Sequence, residues 1–374
     1  MSIKTEYDVI VIGGGPAGMM SAGRAGERGL RVLLIEKNEV LGKKLSITGG
    51  GRCNITNAEF DTRAFLKHYS DAEQFLYSPL AQFGVQDTFD FFTSRKLPLI
   101  VEERKRAFPK TEKAVDVTKV MEGFVTKGGV TVLTNTAVRG LKTSEGKITG
   151  VITDKGVHTA KAYIIASGGK SHADTGSTGE GISWLKNIGH TTHESNPNLV
   201  PLVVSDIWVK RLAGTVLSNI KITFTQGKTK LTKQGNVLVT HFGLSGPLIL
   251  NSAHEVKEML KKGKVETTID LFPKDDIGAL RAKFQKLCEE NPNKTLTNAL
   301  RAWFPKGVVE AILIPFKLEM HILKVHSLPR EVRQTLVDRM KEVTLTVTGT
   351  MGYDWAVVSD GGVDLKEVDT KTMQ

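Results

Sequence analysis

The first part of the chain carries its most regular hydrophobic pattern. Residues 7–12 form a short apolar run rich in β-branched side chains and are followed at once by glycines, which is typical of a buried parallel strand. A helix is predicted to begin at Pro16 and to continue through Ala25, because Pro suits the first turn of a helix. A second apolar run at residues 31–35 predicts another strand, so this part of the chain forms one strand–helix–strand unit.

Helical and β patterns then follow one another up to residue 196. Apolar residues at helical spacing predict helices over residues 60–92 and 114–126, and such a stripe is more typical of a protein core than of a cofactor site. Short apolar runs predict further strands at residues 98–101, 130–133, 136–141, 147–154, 157–159 and 162–166. The last strand ends in a Gly-rich turn at Ser167 and Gly168, and α/β sheets bind ligands at the carboxyl ends of their strands.

The pattern changes after residue 196. Residues 197–272 alternate apolar and polar side chains, which predicts an antiparallel β module. Residues 273–343 return to helical spacing, with prolines dividing the segments, and predict a helical module. We interpret both modules as insertions into an α/β domain made of residues 1–196 and 344–374.

Three glycines mark the turn between the first strand and the first helix. Gly13, Gly15 and Gly18 satisfy the G-x-G-x-x-G spacing. The first glycine permits the tight turn, the second lets the backbone approach a pyrophosphate, and the third allows the helix to pack closely on the strand. The spacing therefore predicts a dinucleotide-binding turn.

The residues around this turn strengthen the prediction. The helix start at Pro16 and Ala17 would face the phosphates with its dipole and its free amides. Glu36 ends the second strand at the distance expected for a carboxylate that binds ribose hydroxyls, and we include the adjacent Lys37 in the site. This unit alone leaves NAD and FAD as alternatives.

A second Gly-rich loop follows Glu36 and favours FAD. Its predicted cofactor-binding residues are Lys43, Thr48, Gly49, Gly50, Arg52 and Asn54. Backbone amides of such a loop can wrap a diphosphate and a flavin ring, while Lys43 and Arg52 supply positive charge. An NAD-binding domain has no use for a loop of this kind at this position.

With these features and several longer motifs, the chain resembles the bacterial flavoproteins grouped as aminoacetone-oxidase-like or BaiN-like FAD-dependent oxidoreductases. The further motifs lie at residues 103–109, 167–171, 175–179, 240–247 and 361–368. The resemblance implies an α/β fold, namely a glutathione-reductase-type FAD-binding Rossmann domain with an inserted β-rich module and a helical module. It also implies that Val138 contacts the adenine edge and that Ser167 and Gly168 belong to the FAD site.

The chain departs from the family pattern in two places. Ala173 stands where relatives usually have Pro, which loosens the loop without abolishing its path. Related proteins also continue for several dozen residues beyond the equivalent of Met373, in a segment that completes the flavin site. We therefore expect the adenine and pyrophosphate half of the site to be present and the isoalloxazine half to be impaired.

The composition sets limits on location and redox chemistry. A chain of 374 residues with 40% hydrophobic and 24% charged residues is ordinary for a soluble protein of two or three domains. Residues 1–7 are polar and the sequence has no uninterrupted apolar stretch of about 18 residues, so we expect neither a signal peptide nor a membrane span, and a cytoplasmic protein without a membrane partner. The two cysteines fit a reducing compartment, and we interpret Cys53 as a small residue in a tight turn rather than a redox thiol.

The formal net charge of +11 raises the possibility of a nucleic-acid partner, because clustered Lys and Arg neutralise phosphates. The basic residues are scattered, with small local concentrations at residues 104–110 and 257–264. A solvated basic surface is therefore the favoured interpretation, and we expect no nucleic-acid partner. The sequence leaves the oligomeric state open.

His241 is the weak candidate for a catalytic residue. It follows a predicted strand and precedes a helix, so its imidazole is placed to move protons in a pocket. An equal alternative is a structural histidine whose hydrogen bonds fix the loop. The spacing of the other histidines predicts no metal site, and Asp174 and Glu180 fit either paired acids or a polar loop.

The predicted function is an FAD-dependent oxidoreductase that transfers a hydride between flavin and a small organic substrate, either an amine or a conjugated carbonyl compound. Oxygen or NAD(P)H would be the co-substrate. The alternative is a non-catalytic dinucleotide-binding or interaction protein on a truncated flavoprotein scaffold. A weaker hypothesis, suggested by the charge, is flavin-dependent modification of RNA.

Overall fold

The computed structural model describes residues 7–314, 316, 319 and 322–374. The chain forms two compact units. Unit 1 contains the residues up to Asn196 together with Ser359–Gln374, and unit 2 is Pro197–Val358.

A parallel sheet forms the centre of unit 1. In the described part of this unit its strands lie in the order Ala160–Ile165, Tyr7–Ile12, Val32–Ile35 and Thr131–Leu133. The sheet is covered on both faces, which explains why its strands read as continuous apolar runs. Val9 and Val11 pack toward the helices Pro16–Glu27 and Ala114–Lys127, in one core with Met19 and Phe124.

An antiparallel sheet covers the opposite face. Its strands are Val138–Ser144, Lys147–Thr153 and Gly156–His158. Ile10 and Ile12 share a core with Val138 and Val151 of this sheet. Alternate residues of the first strand therefore face two different layers, as the period of two along a strand requires.

The other elements of unit 1 lie around these layers. The helices are Thr62–Leu66, Glu73–Gln82, Val85–Ser94 and Glu180–Asn187. A small antiparallel sheet is made of Thr56–Asn57, Arg106–Pro109 and Leu99–Glu102. The pair Thr192–His193 and Gly362–Val363 ties residues 359–374 to this unit.

Unit 2 is built on a closed β-barrel. The order of the described strands is Leu202–Val204, Gly243–Ser245, Thr229–Val239, Val216–Gln226, Val265–Asp270 and Val343–Thr350. The helices are Ile207–Lys210, Pro247–Leu260, Ile277–Glu290, Leu296–Leu300, Lys306–Leu313 and Arg330–Lys341. Closure pairs every strand on both sides and so removes the free sheet edges that promote aggregation.

The predicted separation of a β module from a helical module needs correction. Phe224 and Val347 of the barrel belong to the same buried core as Leu280, Ile312 and Leu336 of the helices. An amphipathic helix is stabilised by burying its apolar face, and these helices bury theirs against the barrel. Residues 197–343 therefore do not divide into two separately packed modules.

The predicted return to the α/β domain at residue 344 is wrong. The strand Val343–Thr350 pairs with Val265–Asp270 and with Leu202–Val204, and this pairing closes the barrel. Unit 1 resumes only at Ser359. The partners of this strand are distant in sequence, and an alternating apolar pattern does not specify them.

The barrel strand at Gly243 requires glycine, which gives a test of the fold. The φ angle of Gly243 is +154°, and a Cβ there would lie 2.2 Å from the Leu202 carbonyl oxygen. We expect Gly243→Ala to lower the free energy of unfolding by about 1–3 kcal/mol, as judged by urea unfolding. The control is Gly349→Ala, where a Cβ meets no heavy atom within 4 Å. Equal stability of the two variants would contradict this account.

Candidate functional site

The glycine turn after the first strand depends on the absence of side chains. Gly13 has φ +104°, and a Cβ on it would lie 2.5 Å from the Ala166 carbonyl oxygen. A Cβ on Gly18 would lie 1.8 Å from the Gly13 carbonyl oxygen, so this glycine lets the helix approach the strand. A Cβ on Gly15 meets nothing within 4 Å. Gly15 lines a cavity, and its missing side chain leaves room for a ligand.

This cavity has a volume of about 250 Å³ and lies at the carboxyl ends of three parallel strands. Its lining includes Gly13 after the first strand, Glu36 after the second and Ser167 after the strand Ala160–Ile165. Ligands of open α/β sheets bind at this edge. Small-molecule pockets are roughly 300–1,000 Å³, so the cavity matches part of a dinucleotide rather than the whole of one.

The Glu36 carboxylate is buried beside the cavity and is held by hydrogen bonds. The Gly14 amide donates to Oε2 at 2.6 Å. The backbone amide and the side-chain amide of Asn38 each donate to Oε1 at 2.7 Å. The carboxylate is thereby fixed against the glycine turn, with acceptor capacity remaining for a ligand hydroxyl.

A loop at residues 171–180 lies beside the cavity and is held by side chains of residues 37–44. The contacts of these side chains are Asn38 Nδ2 to Thr175 O (3.1 Å), Lys43 Nζ to Asp174 O (3.0 Å), Lys44 Nζ to Ser171 O (2.6 Å), and Lys37 Nζ to Thr178 Oγ1 (3.0 Å) and Glu180 Oε2 (2.8 Å). Burial lowers the pKa of Lys44 from its ordinary value. The lysines of this segment are therefore engaged with the loop, and the loop closes one side of the cavity.

The structure brings most of the predicted cofactor residues to this cavity. The predicted residues that line it are Gly13, Gly15, Pro16, Ala17, Glu36, Lys37, Lys43, Val138, Ser167 and Gly168. Gly18 lies behind the turn, in contact with Gly13. The predicted residues outside the lining are Thr48, Gly49, Gly50, Arg52 and Asn54. Their role at a flavin stays a prediction.

Sequence reasoning missed other lining residues. They are Gly14, Asn38, Gly42, Lys44, Thr136, Thr175, Gly176, Ser177 and Trp184, with three apolar neighbours. Glu180, considered above with Asp174, also lines the cavity, whereas Asp174 does not. The motif at residues 175–179 indicated the loop. The sequence did not indicate that this loop lies next to residues 37–44, because the two segments are far apart in the chain.

Arg52, one of the predicted residues outside the lining, is engaged by acidic side chains. Its guanidinium forms ion pairs with Glu102 and Glu112 and lies 4.2 Å from the centre of the Phe108 ring. The hydrogen bond from Arg52 holds the pKa of the Glu102 carboxyl below its usual range. Two carboxylates therefore balance the charge of Arg52, which anchors the left-handed turn at Gly49 and Gly50 to the strands beside it.

Cys53 and His241 differ in their surroundings. Cys53 is 1% exposed and burial raises the pKa of its thiol, which fits the interpretation as a small packed residue. His241 lies in unit 2, is exposed, and has no hydrogen bond or ion pair to any described residue. The Thr240 amide and hydroxyl instead hold this turn by donating to the Gly243 carbonyl oxygen. The interpretation of His241 as a hydrogen-bonded structural histidine therefore fails.

Among residues 7–314, 316, 319 and 322–374, no group of three or more His, Cys, Asp and Glu side chains lies close enough together to hold a metal ion. No helix among these residues is long and apolar enough to cross a bilayer.

Comparison with known proteins identifies the family. Residues 7–374 match the family model described as HI0933-like protein Rossmann domain. The chain belongs to this family. It is a flavin-dependent oxidoreductase with a Rossmann-type nucleotide-binding fold, and this confirms the predicted resemblance and fold class.

Three relatives align with nearly the whole chain. The 3-dehydro-bile acid delta(4,6)-reductase of Clostridium scindens is 30% identical over 97% of this chain and 88% of that protein. A ribosomal RNA dihydrouridine synthase of Escherichia coli is 29% identical over 99% of this chain and 88% of that protein. The protein of the same name from Haemophilus influenzae is 26% identical over 98% of this chain and 88% of its own length.

The residues that line the cavity are suited to bind a dinucleotide. Gly15 leaves open the space that a diphosphate occupies, and the helix Pro16–Glu27 begins at that space. Glu36 keeps acceptor capacity at the position where a ribose lies in folds of this kind.

Gly15 gives a direct test of this fit. Its φ is −75°, a value that any residue adopts, and a Cβ there meets no protein atom within 4 Å, so a larger side chain would extend into the cavity. We expect Gly15→Val to weaken FAD binding at least about tenfold while leaving thermal stability unchanged. FAD binding is measured by titrating the apoprotein and following flavin fluorescence.

Gly123→Val is the matched control for Gly15→Val. Gly123 lies in the helix Ala114–Lys127, and a Cβ there also meets nothing within 4 Å. This variant should bind FAD as the unchanged protein does. A Gly15→Val protein that binds FAD with unchanged affinity would rule out this cavity as the diphosphate site.

Proposed function

We propose that the protein is an FAD-dependent reductase of carbon–carbon double bonds that are conjugated to a carbonyl group in a ring. The observation that carries this proposal is the chemistry shared by the names of its relatives. A delta(4,6)-reductase of a 3-dehydro-bile acid saturates ring bonds in conjugation with a ketone. Formation of dihydrouridine saturates the uracil ring bond next to a carbonyl. Both names fit the conjugated carbonyl rather than the amine among the two predicted substrate classes.

FAD is the proposed cofactor, and unit 1 supplies the residues that bind it. The helix beginning at Pro16 would orient the diphosphate with its dipole, and Gly15 would allow the close approach. Glu36 would accept hydrogen bonds from ribose hydroxyls, and Val138, which lines the cavity, would contact the adenine. The bound flavin supplies the hydride chemistry.

The loop at residues 171–180 contributes to this site by covering it. Lys37 pairs with Glu180 across the cavity wall, and Lys43 and Lys44 hold the loop through backbone carbonyls. These contacts exclude water from one side of the adenosine part of the cofactor. The two ammonium groups beside the cavity also favour an anionic diphosphate.

The proposal is tested with the FAD-loaded protein under anaerobic conditions. The flavin is reduced with one equivalent of dithionite and mixed with cyclohex-2-en-1-one, a 3-keto-4-ene steroid, or aminoacetone. We expect the flavin absorbance to return with at least one of the two enones, and the product mass to increase by two hydrogens. NADH and NADPH are compared as reductants in the same assay.

Two other results would contradict the proposal. Oxidised flavin that is bleached by aminoacetone, while the reduced form reacts with neither enone, would indicate amine oxidation. A protein that takes up no FAD would favour the non-catalytic binding protein.

A base ring within an RNA molecule is a second candidate substrate, and a group of lysines in unit 2 favours it. Lys228 and Lys230 lie at the hairpin between the strands Val216–Gln226 and Thr229–Val239, and Lys262 and Lys264 follow the helix Pro247–Leu260. The Gln226 side chain donates to the Lys262 carbonyl oxygen at 2.9 Å, so the two segments are adjacent. We call these four residues the lysine cluster.

The lysine cluster has unbalanced charge. All four side chains are exposed, and none forms an ion pair or a side-chain hydrogen bond with a described residue. Phosphates bind to ammonium groups of this kind with release of counterions. We expected no nucleic-acid partner because the basic residues are scattered along the sequence. In the fold, however, the pair Lys228 and Lys230 lies next to the pair Lys262 and Lys264.

Changing all four residues of the lysine cluster to Gln tests this candidate. We expect weaker binding of ribosomal RNA in a filter assay, and a salt dependence of log affinity that is shallower by roughly 2–3, because each phosphate contact on single-stranded RNA contributes about 0.7. The matched control changes four exposed lysines of unit 1, Lys127, Lys142, Lys147 and Lys186, and alters the net charge equally. Equal affinities and slopes for both variants would contradict a docking role for the cluster.

A further inference from the structure

The cavity of unit 1 has an apolar part as well as a polar part. Ile12, Ile35, Val138 and Trp184 line it, and they belong to or pack against one hydrophobic cluster. The glycine turn and the lysines at residues 37–44 make the other part polar. Ligand sites commonly combine an apolar wall with a few placed polar groups. The polar part suits a diphosphate, and the apolar part suits a flat ring.

An ion pair places Glu180 next to the proposed ribose position. Lys37 directly follows Glu36, whose carboxylate is the proposed partner of the ribose hydroxyls. The Lys37 ammonium lies 2.8 Å from Glu180 Oε2. A nucleotide base is bonded directly to its ribose, so it must lie beside the residues that surround this ion pair.

Glu180 and Trp184 share one face of a helix. They lie four positions apart in the helix Glu180–Asn187, and side chains at this spacing are neighbours on the helix surface. Both line the cavity, so this face is directed toward it. Trp184 is half-buried against the apolar cluster, which holds its indole in place at the cavity wall.

The Glu180 carboxylate has one oxygen available to a ligand. Lys37 donates to Oε2, and no residue in the described part of the chain donates to Oε1. Burial disfavours the ionised form of Glu180, but hydrogen bonds from Lys37 and Thr178 lower the pKa of this carboxyl from its ordinary value. An ionised carboxylate only accepts hydrogen bonds. Oε1 therefore suits a ligand group that donates, such as an amino group.

We propose that Trp184 and Glu180 select the base of the cofactor, with the indole packed on the adenine ring and Glu180 Oε1 accepting from the 6-amino group. This inference rests on the proposed FAD cofactor and adds the residues that recognise its base. Guanine carries a carbonyl oxygen in place of the 6-amino group, and that oxygen would face the carboxylate as a second acceptor. The two side chains therefore favour adenine over guanine nucleotides.

Tryptophan fluorescence tests whether the base reaches Trp184. ADP is the probe, because it carries the base, ribose and diphosphate but no flavin. The sequence places one tryptophan, Trp184, in unit 1, whereas Trp208, Trp303 and Trp355 belong to unit 2. We expect ADP to change the fluorescence of the apoprotein, and Trp184→Phe to abolish most of this change. An equal fluorescence change in the Trp184→Phe variant would overturn the proposed contact.

Isothermal titration calorimetry with ADP tests the contribution of Trp184 to affinity. We expect Trp184→Ala to weaken binding about tenfold or more, and Trp184→Phe to restore most of the loss, because stacking needs an aromatic ring. Trp355→Ala is the matched control, since Trp355 is 45% exposed and lies in unit 2. Thermal unfolding confirms that each variant is folded. Equal ADP affinities for Trp184→Ala and Trp355→Ala would contradict the proposal.

The choice between ADP and GDP tests Glu180. We expect the unchanged protein to prefer ADP about tenfold or more, and Glu180→Gln to lose most of this preference, because an amide both donates and accepts. The Glu180 side chain is 46% exposed, so this change leaves the core intact. Lys37→Gln breaks the same ion pair but keeps the carboxylate, and should keep the preference even where both affinities fall. An unchanged preference in Glu180→Gln would remove Glu180 from the proposal.

These measurements separate failure of this inference from failure of the proposed function. A preference for ADP that depends on Trp184 and Glu180 supports the inference even if the FAD-loaded protein reduces no enone. The same ADP affinity and the same preference in all variants overturn it even if enones are reduced. A protein that binds FAD but not ADP also overturns it, because the adenine would then contribute little to cofactor binding.

Discussion

The contact between the backbones of Gly13 and Gly18 is the constraint on which the cofactor unit depends. The strand and the helix approach so closely that a Cβ on Gly18 would lie 1.8 Å from the Gly13 carbonyl oxygen. This approach brings the start of the helix over the carboxyl end of the strand, and Gly15 is left facing open space. The hydrogen bond from Gly14 to Glu36 then joins the turn to the second strand. The shape of the cavity follows from these backbone contacts.

The lysines at this cavity hold the protein together as well as favouring an anionic ligand. Lys43 and Lys44 donate to carbonyl oxygens of the loop at residues 171–180. A diphosphate there would be held mainly by backbone amides and the helix dipole, with the nearby ammonium groups adding favourable potential. Backbone donors suit this task because they are already oriented in the fold.

The two units carry different features. Unit 1 holds the cavity proposed for the cofactor, and unit 2 holds the lysine cluster on segments that belong to or adjoin a closed barrel. Relatives named for a bile acid and for ribosomal RNA align along nearly the whole chain. Such different names on similar chains show that the fold by itself does not determine the substrate, since function depends on the site.

The sequence by itself determined the local structure of the cofactor turn and the class of the fold. Apolar runs, glycine spacing and the terminal Glu36 depend on neighbours within one strand–helix–strand unit, so periodicity and turn chemistry were sufficient. Only the tertiary structure decided that the strand Val343–Thr350 closes the barrel, that residues 37–44 hold the loop at residues 171–180, and that Arg52 is neutralised. Those contacts join segments that are far apart in the chain. A local sequence pattern predicts a strand or a charged side chain, but it does not identify the distant residue that pairs with it.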